Sequence, residues 1–188
     1  MARTRSFDEA KALAAMADVF WRKGFEGASY AELMKASGLG KGSLYAAWGD
    51  KAALYRAALA QYVEAELALL AEVLTAPGAN PLASLTALLT YPIEAVEERR
   101  DRRGCFLCNA AVDMAQMDAE TAVMVEEAFG AAIDAVEGVA VRAGGAPGAG
   151  AHLFSVFLGL RVMARAGVSA DRMRAARDVA LRPYAALN

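Results

Sequence analysis

The sequence predicts an all-α protein with about nine helices. Apolar residues recur at intervals of three and four along most of the 188-residue chain, and no segment shows the strict apolar–polar alternation that is typical of a strand. Much of the 57% hydrophobic fraction is alanine, the best helix former. The first three predicted helices are short and the later ones long. This contrast predicts a compact unit at residues 1–51 followed by a larger helical bundle at residues 52–188.

Serine–glutamate pairs and glycines delimit the first three helices. A serine followed by a glutamate three residues later is a capping box, a typical helix start. The pattern occurs twice, at Ser6 with Glu9 and at Ser29 with Glu32. Each predicted helix is followed by a glycine, a natural C-terminal stop. These glycines are Gly24, Gly38 and Gly49. The third helix is expected at about residues 42–48.

The later helices have equally clear boundaries. Asp50 is expected to cap a long fourth helix, Asn80 a fifth, and Asp118 a long helix that reaches Val141. Pro92 is expected to kink or interrupt the fifth helix. A further helix is predicted at residues 105–116, and the stretch GGAPGAG (144–150) reads as a loop. The last two helices are expected at residues 151–166 and 170–186.

The stretch SGLGKGSLY (37–45) resembles a phosphate-binding loop at first sight. A P-loop requires a hydroxyl residue directly after its lysine, but Gly42 follows Lys41. A dinucleotide-binding fingerprint requires a third glycine where Ser43 stands, and it follows a strand rather than a helix. A short helix, a glycine-containing turn and a second helix instead match a helix-turn-helix.

Residues 29–55 resemble the DNA-binding domain of the TetR family of bacterial transcriptional regulators. The preceding stretch DVFWRKGFEGAS (18–29) is similar to the end of the family's first helix. The positions that carry the resemblance keep the family's spacing and residue types. They are Ser29, Leu33, Ser37, Gly38, Leu39, Lys41, Gly42, Ser43, Leu44, Tyr45, Asp50, Lys51 and Leu54.

The resemblance implies an interface with double-stranded DNA. The third helix would enter the major groove, with Lys41 and Ser43 contacting bases or phosphates and Tyr45 and Lys51 holding phosphates. Ser29 would cap the second helix and donate to a phosphate. Leu44 and Trp48 are expected in the core, whereas Tyr30 could lie at the core edge or contact DNA, and Arg3 and Arg5 could contact DNA or form a solvated tail. The full predicted set is Ser29, Tyr30, Lys41, Gly42, Ser43, Tyr45, Lys51, Arg3 and Arg5.

Two features qualify this interface. Gly40 stands where the family usually has a serine or threonine, which removes a helix cap, and Ala46 and Ala47 replace larger side chains. Residues 1–51 carry 8 Lys/Arg against 6 Asp/Glu, whereas the remainder carries 12 against 16. The predicted DNA-binding unit is therefore mildly basic, and its specificity is expected to lean on Lys41, Ser43 and DNA shape.

The C-terminal part is expected to dimerise and to bind an effector. Residues 151–166 are apolar on nearly all faces, so they require cover on two sides. A homodimer through the last two helices provides it, as the resemblance also implies, and a purely intrachain core is the alternative. Aromatic and methionine side chains could line an effector pocket or only fill the core. They are Phe106, Met114, Met117, Met124, Phe129, Phe154 and Phe157.

Cys105 and Cys108 are the only cysteines, and a helical spacing of three places them on one face. Four arginines at positions 99–103 would favour a thiolate, which predicts a redox or electrophile sensor. The alternative is that both thiols are small buried hydrophobes. With one histidine, His152, the ligand set is too thin for a metal site, and no cofactor is expected.

The predicted function is a cytoplasmic DNA-binding regulator. A soluble protein is expected because no apolar run approaches the roughly 18 residues of a spanning helix. We expect a repressor that a small molecule or redox effector releases from a palindromic operator. A helical small-molecule-binding protein that no longer binds DNA specifically is the alternative. No Ser/His/Asp arrangement or metal cluster suggests an enzyme.

Overall fold

A computed structural model describes residues 7–185, which form nine α-helices and no strand. The all-α prediction is confirmed. In chain order the helices are α1 (Glu9–Gly27), α2 (Tyr30–Ser37), α3 (Lys41–Trp48), α4 (Lys51–Leu74), α5 (Pro81–Glu97), α6 (Phe106–Asp113), α7 (Ala119–Arg142), α8 (Ala149–Arg165) and α9 (Ala170–Ala185).

The described chain packs as two compact units. The first unit comprises residues 7–64 and 106–125, and the second comprises residues 65–105 and 126–185. This partition differs from the predicted boundary after residue 51, because the start of α4 and all of α6 pack with the N-terminal helices. Helices α4 and α7 contribute residues to both units.

Aromatic side chains form the core of the first unit, in which α1 packs against α2 and α6. Tyr55 is fully buried at its centre. Its ring lies 5.1 Å from Phe20, 5.5 Å from Phe25 and 5.3 Å from Phe106, all edge to face. Burial raises the pKa of the Tyr55 phenol, and the nearby Asp113 carboxylate adds to the effect.

Gly24 makes the close packing of α1 and α6 feasible. The sequence predicted that α1 ends at Gly24, and its φ of 72° does interrupt the helical geometry there, but α1 continues to Gly27. A Cβ at Gly24 would lie 2.7 Å from Oδ2 of Asp113. The start of α1 differs from the prediction. Asp8 is its N-cap and accepts from the Lys11 N–H at 3.0 Å, whereas the predicted Ser6 cap lies outside the described residues.

The second unit is a bundle in which α5 packs against both α8 and α9. Its core is mainly aliphatic and includes Leu85, Leu89, Ile93, Leu153 and Leu160. α5 is continuous through Pro92, so the predicted interruption is wrong. Pro92 is buried, and packing of the surrounding apolar face offsets the backbone hydrogen bond that proline cannot make.

Candidate nucleic-acid interface

Glycines form both ends of the turn between α2 and α3. Gly38 has a left-handed φ of 70°, and its N–H donates to the Met34 carbonyl at 2.9 Å, which closes α2. Gly40 is the N-cap of α3 and provides no side-chain hydrogen bond. The predicted absence of a hydroxyl cap is therefore confirmed. The first turn of α3 contains no acidic residue, so the positive end of the helix remains attractive to an external anion.

One face of α3 is available for binding. Leu44 is buried in the first unit, as predicted, whereas Trp48 is only half-buried and lies 6.1 Å from the ring of Phe7. The exposed residues carry one lysine and two hydroxyl groups and include no carboxylate. They are Lys41, Gly42, Ser43, Tyr45 and Ala46.

Tyr30 and Tyr45 form a stacked pair next to Lys41. Their ring centroids lie 5.4 Å apart with an interplanar angle of 22°. The Lys41 Nζ lies 5.4 Å from the Tyr30 ring centroid and 5.7 Å from that of Tyr45. Tyr30 is half-buried and Tyr45 is 42% exposed. Tyr30 therefore belongs both to the core edge and to the surface that α3 presents.

The Tyr30 phenol and the first residues of α4 each have close neighbours in this unit. Burial, followed by the neighbouring Tyr45 side chain, raises the pKa of Tyr30 to about 12. The Lys51 ammonium lies over the Phe25 ring at 4.6 Å, and Oδ1 of Asp50 accepts from the Ala53 N–H at 2.8 Å. The predicted Asp50 cap is confirmed.

Phe25 was not among the predicted site residues. The sequence did contain an indication of it, because Phe25 belongs to the Gly-Phe pair that resembles the end of the family's first helix. Its contact with the Lys51 ammonium, however, depends on tertiary packing.

Ser29 forms the complete capping box that the sequence predicted. Its Oγ accepts from the Glu32 N–H at 3.3 Å and donates to Glu32 Oε2 at 2.9 Å. Glu32 also accepts from the Lys23 ammonium. The bond from Lys23, followed by those from Ser29, lowers the pKa of Glu32 to about 2. The Ser29 hydroxyl is thus already engaged within α2.

The remaining predicted residues are distributed across the chain. Arg3 and Arg5 lie outside the described residues. Phe106 and Met114 are buried in the first unit, where Phe106 packs between Tyr55 and Tyr62. Phe154 and Phe157 belong to the second unit, where their rings stack at 6.0 Å and Phe129 contacts Phe154 at 5.8 Å. The predicted effector residues are therefore divided between the two units.

The two thiols also differ in environment. Cys105 is buried and Cys108 is half-buried. Gly104, directly before Cys105, has a φ of 78°, and a Cβ at this position would lie 3.1 Å from the Arg161 carbonyl oxygen. Within residues 7–185, no group of three or more His, Cys, Asp or Glu has an arrangement that could hold a metal ion.

Arg161 is a buried charge that the sequence analysis missed. Its Nη1 and Nη2 donate to the two carboxylate oxygens of Glu66 at 2.6 and 3.2 Å. The guanidinium also lies 5.0 Å from the Phe157 ring and 5.7 Å from the Tyr91 ring. The available signal was that Arg161 lies among apolar residues of α8, whose other arginine, Arg165, stands at the end of the helix.

Comparison with known proteins agrees with this geometry. Residues 12–58 match the family model described as bacterial regulatory proteins, tetR family. A structure of a CifR cysteine mutant, solved with a 26-base-pair operator DNA and apo-CifR, is 28% identical. The match covers 96% of this chain and 98% of the CifR chain, with a TM-score of 0.78. In its N-terminal residues 12–58, this chain is similar to the TetR family.

Two curated helix-turn-helix-type transcriptional regulators match over shorter stretches. The uncharacterised regulator YezE from Bacillus subtilis (strain 168) is 30% identical over 122 residues, which cover 65% of this chain and 62% of YezE. The repressor BdcR from Escherichia coli (strain K12) is 40% identical over 72 residues, which cover 38% of this chain and 36% of BdcR. The chain thus spans less than two thirds of either relative. Both are named as transcriptional regulators, in agreement with the prediction that this protein is not an enzyme.

Among the helices within residues 7–185, none combines the length and apolar character needed to cross a membrane.

Proposed function

We propose that this protein is a DNA-binding transcriptional regulator whose α3 enters the major groove of a palindromic operator. The observation that carries the proposal is the exposed face of α3, where Lys41, Ser43 and Tyr45 lie beside the uncapped, positive end of the helix. The operator complex of a CifR mutant supports this assignment.

Each exposed group on α3 has a role that suits DNA. Lys41 can reach base acceptors or phosphates, and Tyr45 and Lys51 donate to phosphates that flank the groove. The Ala46 methyl group suits apolar contact with a thymine methyl, and Gly42 permits close approach of the backbone. Because few long side chains reach base edges, DNA shape supplies part of the specificity.

The protein acts as a homodimer through α8 and α9. Each of these helices buries one face in the second unit and leaves another exposed, with Val162 56% and Val179 59% exposed. A symmetric pair of recognition helices reads two half-sites about one helical turn apart, which matches a palindrome.

In the bacterial cytoplasm, the regulator represses transcription until an effector lowers its affinity for the operator. The naming of BdcR as a repressor supports this mode of action. The effector is a small molecule held by aromatic side chains of the helical bundle, or an oxidant that modifies Cys105 or Cys108. Either one acts by favouring a state in which the two recognition helices no longer fit successive grooves.

The decisive experiment is sequencing of genomic DNA fragments retained by the purified protein. We expect enrichment of a palindrome. Lys51→Ala should weaken binding to this palindrome about tenfold. It should also make the affinity less dependent on salt, by about one released counterion per subunit. Lys11→Ala removes an exposed lysine of α1 and is the matched control. Failure to enrich any sequence would favour a helical small-molecule-binding protein, an alternative to which the uncapped start of α3 also points.

The proposed response of Cys105 or Cys108 to an oxidant is tested with the DNA duplex recovered by this selection. Treatment with hydrogen peroxide should release the wild-type protein, and Cys105→Ser or Cys108→Ser should abolish that release if the corresponding thiol is the sensor. Equal release from both variants and the wild type would leave only the small-molecule effector.

A further inference from the structure

The ring of Phe25 contacts the Lys51 ammonium and is itself held by the core of the first unit. The Lys51 Nζ lies 4.6 Å from the ring centroid of Phe25. The Phe25 ring also lies 5.5 Å from the Tyr55 ring, at an interplanar angle of 89°. Tyr55 is fully buried, so the ring that supports Phe25 has a fixed place in the core. Because Lys51 and Tyr55 are four residues apart on α4, they share the face of that helix that contacts Phe25.

This contact orders the Lys51 ammonium without neutralising its charge. An aromatic ring attracts a cation through its quadrupole but carries no net charge. Within residues 7–185, no carboxylate oxygen lies within 4 Å of the Lys51 Nζ, whereas Lys23 of α1 is ion-paired with Glu32. The ring offers no oxygen or nitrogen acceptor, so the N–H donors of Lys51 remain for an external anion.

The Lys41 ammonium at the start of α3 is held in the same way. Its Nζ lies 5.4 Å from the ring centroid of Tyr30 and 5.7 Å from that of Tyr45. In the part of the chain that the structure describes, no carboxylate oxygen lies within 4 Å of this ammonium either. Both lysines that the proposed interface assigns to DNA therefore contact aromatic rings, and the Lys51 contact is the closer one.

We propose that Phe25 is a positioning residue whose ring holds the Lys51 ammonium in place to bind a phosphate of the operator. A free lysine side chain populates many rotamers, and a phosphate that binds it must restrict them. A lysine held over a fixed ring loses less of this freedom on binding, which raises its affinity for the phosphate. Phe25 has no polar group of its own and therefore acts through Lys51. This inference rests on the proposed function, because it assigns a role within the same interface.

The test is a double-mutant cycle, measured by fluorescence anisotropy on the duplex recovered by genomic selection. Phe25→Leu keeps an apolar side chain but removes the ring, and it should lower affinity about threefold. In the Lys51→Ala background the same substitution should change affinity no further, because Phe25 acts only through the ammonium. Tyr91→Leu removes a ring that lies 4.7 Å from the Arg99 guanidinium in the second unit, and it should leave affinity unaltered.

A second readout separates this role from a structural one. Fluorine atoms on the Phe25 ring nearly keep its size but withdraw electron density from its face, which weakens its attraction for a cation. Increasingly fluorinated phenylalanines at position 25 should therefore lower affinity step by step, and only when Lys51 is present. A ring that served only to fill the core would show no such dependence on Lys51.

Several outcomes would overturn the proposal. They are wild-type affinity for Phe25→Leu, an equal loss in the Lys51→Ala background, and an affinity that does not follow fluorination. Where Phe25→Leu fails to fold, the fluorinated series decides, because it leaves the packing volume of the ring nearly unchanged. These outcomes differ from failure of the proposed function, in which the wild-type protein itself would not bind the duplex.

Discussion

At the scale of single residues, Gly150 shows how a glycine can be required by packing rather than by flexibility. It lies at the end of the glycine-rich stretch 144–150, yet it is buried near the start of α8. A Cβ there would lie 2.5 Å from the Glu137 backbone nitrogen and 2.6 Å from its Cα. The Glu137 carboxylate accepts from the Gly148 and Gly150 N–H groups, which caps α8 from α7.

Gly150→Ala should therefore destabilise the second unit. The added methyl group would meet backbone that cannot rotate away, and we expect the free energy of unfolding to fall by roughly 2–3 kcal/mol. Urea denaturation followed by circular dichroism measures this change. Gly130→Ala in α7 is the matched control, because a Cβ there meets nothing within 4 Å. The control should gain about 0.5–1 kcal/mol from higher helix propensity. Equal stability of the two variants would contradict the packing role of Gly150.

At the scale of secondary-structure elements, α2 owes its start to local chemistry. The capping box satisfies the Ser29 and Glu32 N–H groups reciprocally, and Lys23 of α1 adds an ion pair to the same carboxylate. The carboxylate form of Glu32 is thus favoured in the folded protein. This element also supports the turn into α3.

The stability contribution of Glu32 should depend on pH. Its pKa is lowered from 4.5 to about 2, so the contribution is fully present above about pH 4.5 and is lost as the pH falls through about 2. The difference in unfolding free energy between the wild type and Glu32→Gln should be largest near neutral pH and shrink toward pH 2. Urea denaturation at a series of pH values measures it. Glu26→Gln removes an exposed carboxylate from α1 and should show a smaller difference, and a pH-independent gap for Glu32→Gln would refute the assignment.

At the scale of the whole molecule, the proposed dimer depends on the faces of α8 and α9 that the second unit leaves uncovered. Exposed residues with short side chains recur at helical spacing along α8. They are Ala151, Ser155, Gly159 and Val162, and the other exposed residues of this helix are His152 and Arg165. Short side chains allow two helices to approach closely, which favours a self-complementary contact.

Val162→Arg should convert the protein to a monomer, because it would bury unpaired charges at a two-fold contact. Light scattering coupled to size-exclusion chromatography measures the mass, and binding to the palindromic duplex should fall with it. Val141→Arg introduces the same charge on α7, where Val141 is 49% exposed, and should remain dimeric. A dimeric Val162→Arg protein, or a monomeric wild type, would exclude this interface.

The predictions that held depend on local signals. Helix caps and stops act within one helical turn, and the structure has them at the predicted helix boundaries. They are Ser29, Gly38, Asp50, Asn80 and Asp118. Pro92 does not interrupt α5 because its local cost is outweighed by burial, which a linear pattern does not reveal, whereas the predicted kink stays a prediction.

The sequence by itself determined the all-α class, most helix boundaries and the residues that α3 presents, because capping, periodicity and the helix-turn-helix spacing are local properties. The tertiary structure decided which distant groups meet. It placed Lys51 over Phe25, stacked Tyr30 on Tyr45, and paired Glu66 with Arg161. It also assigned α6 to the first unit. Such contacts depend on how helices pack around a shared core, and many packings are compatible with the same apolar periodicity.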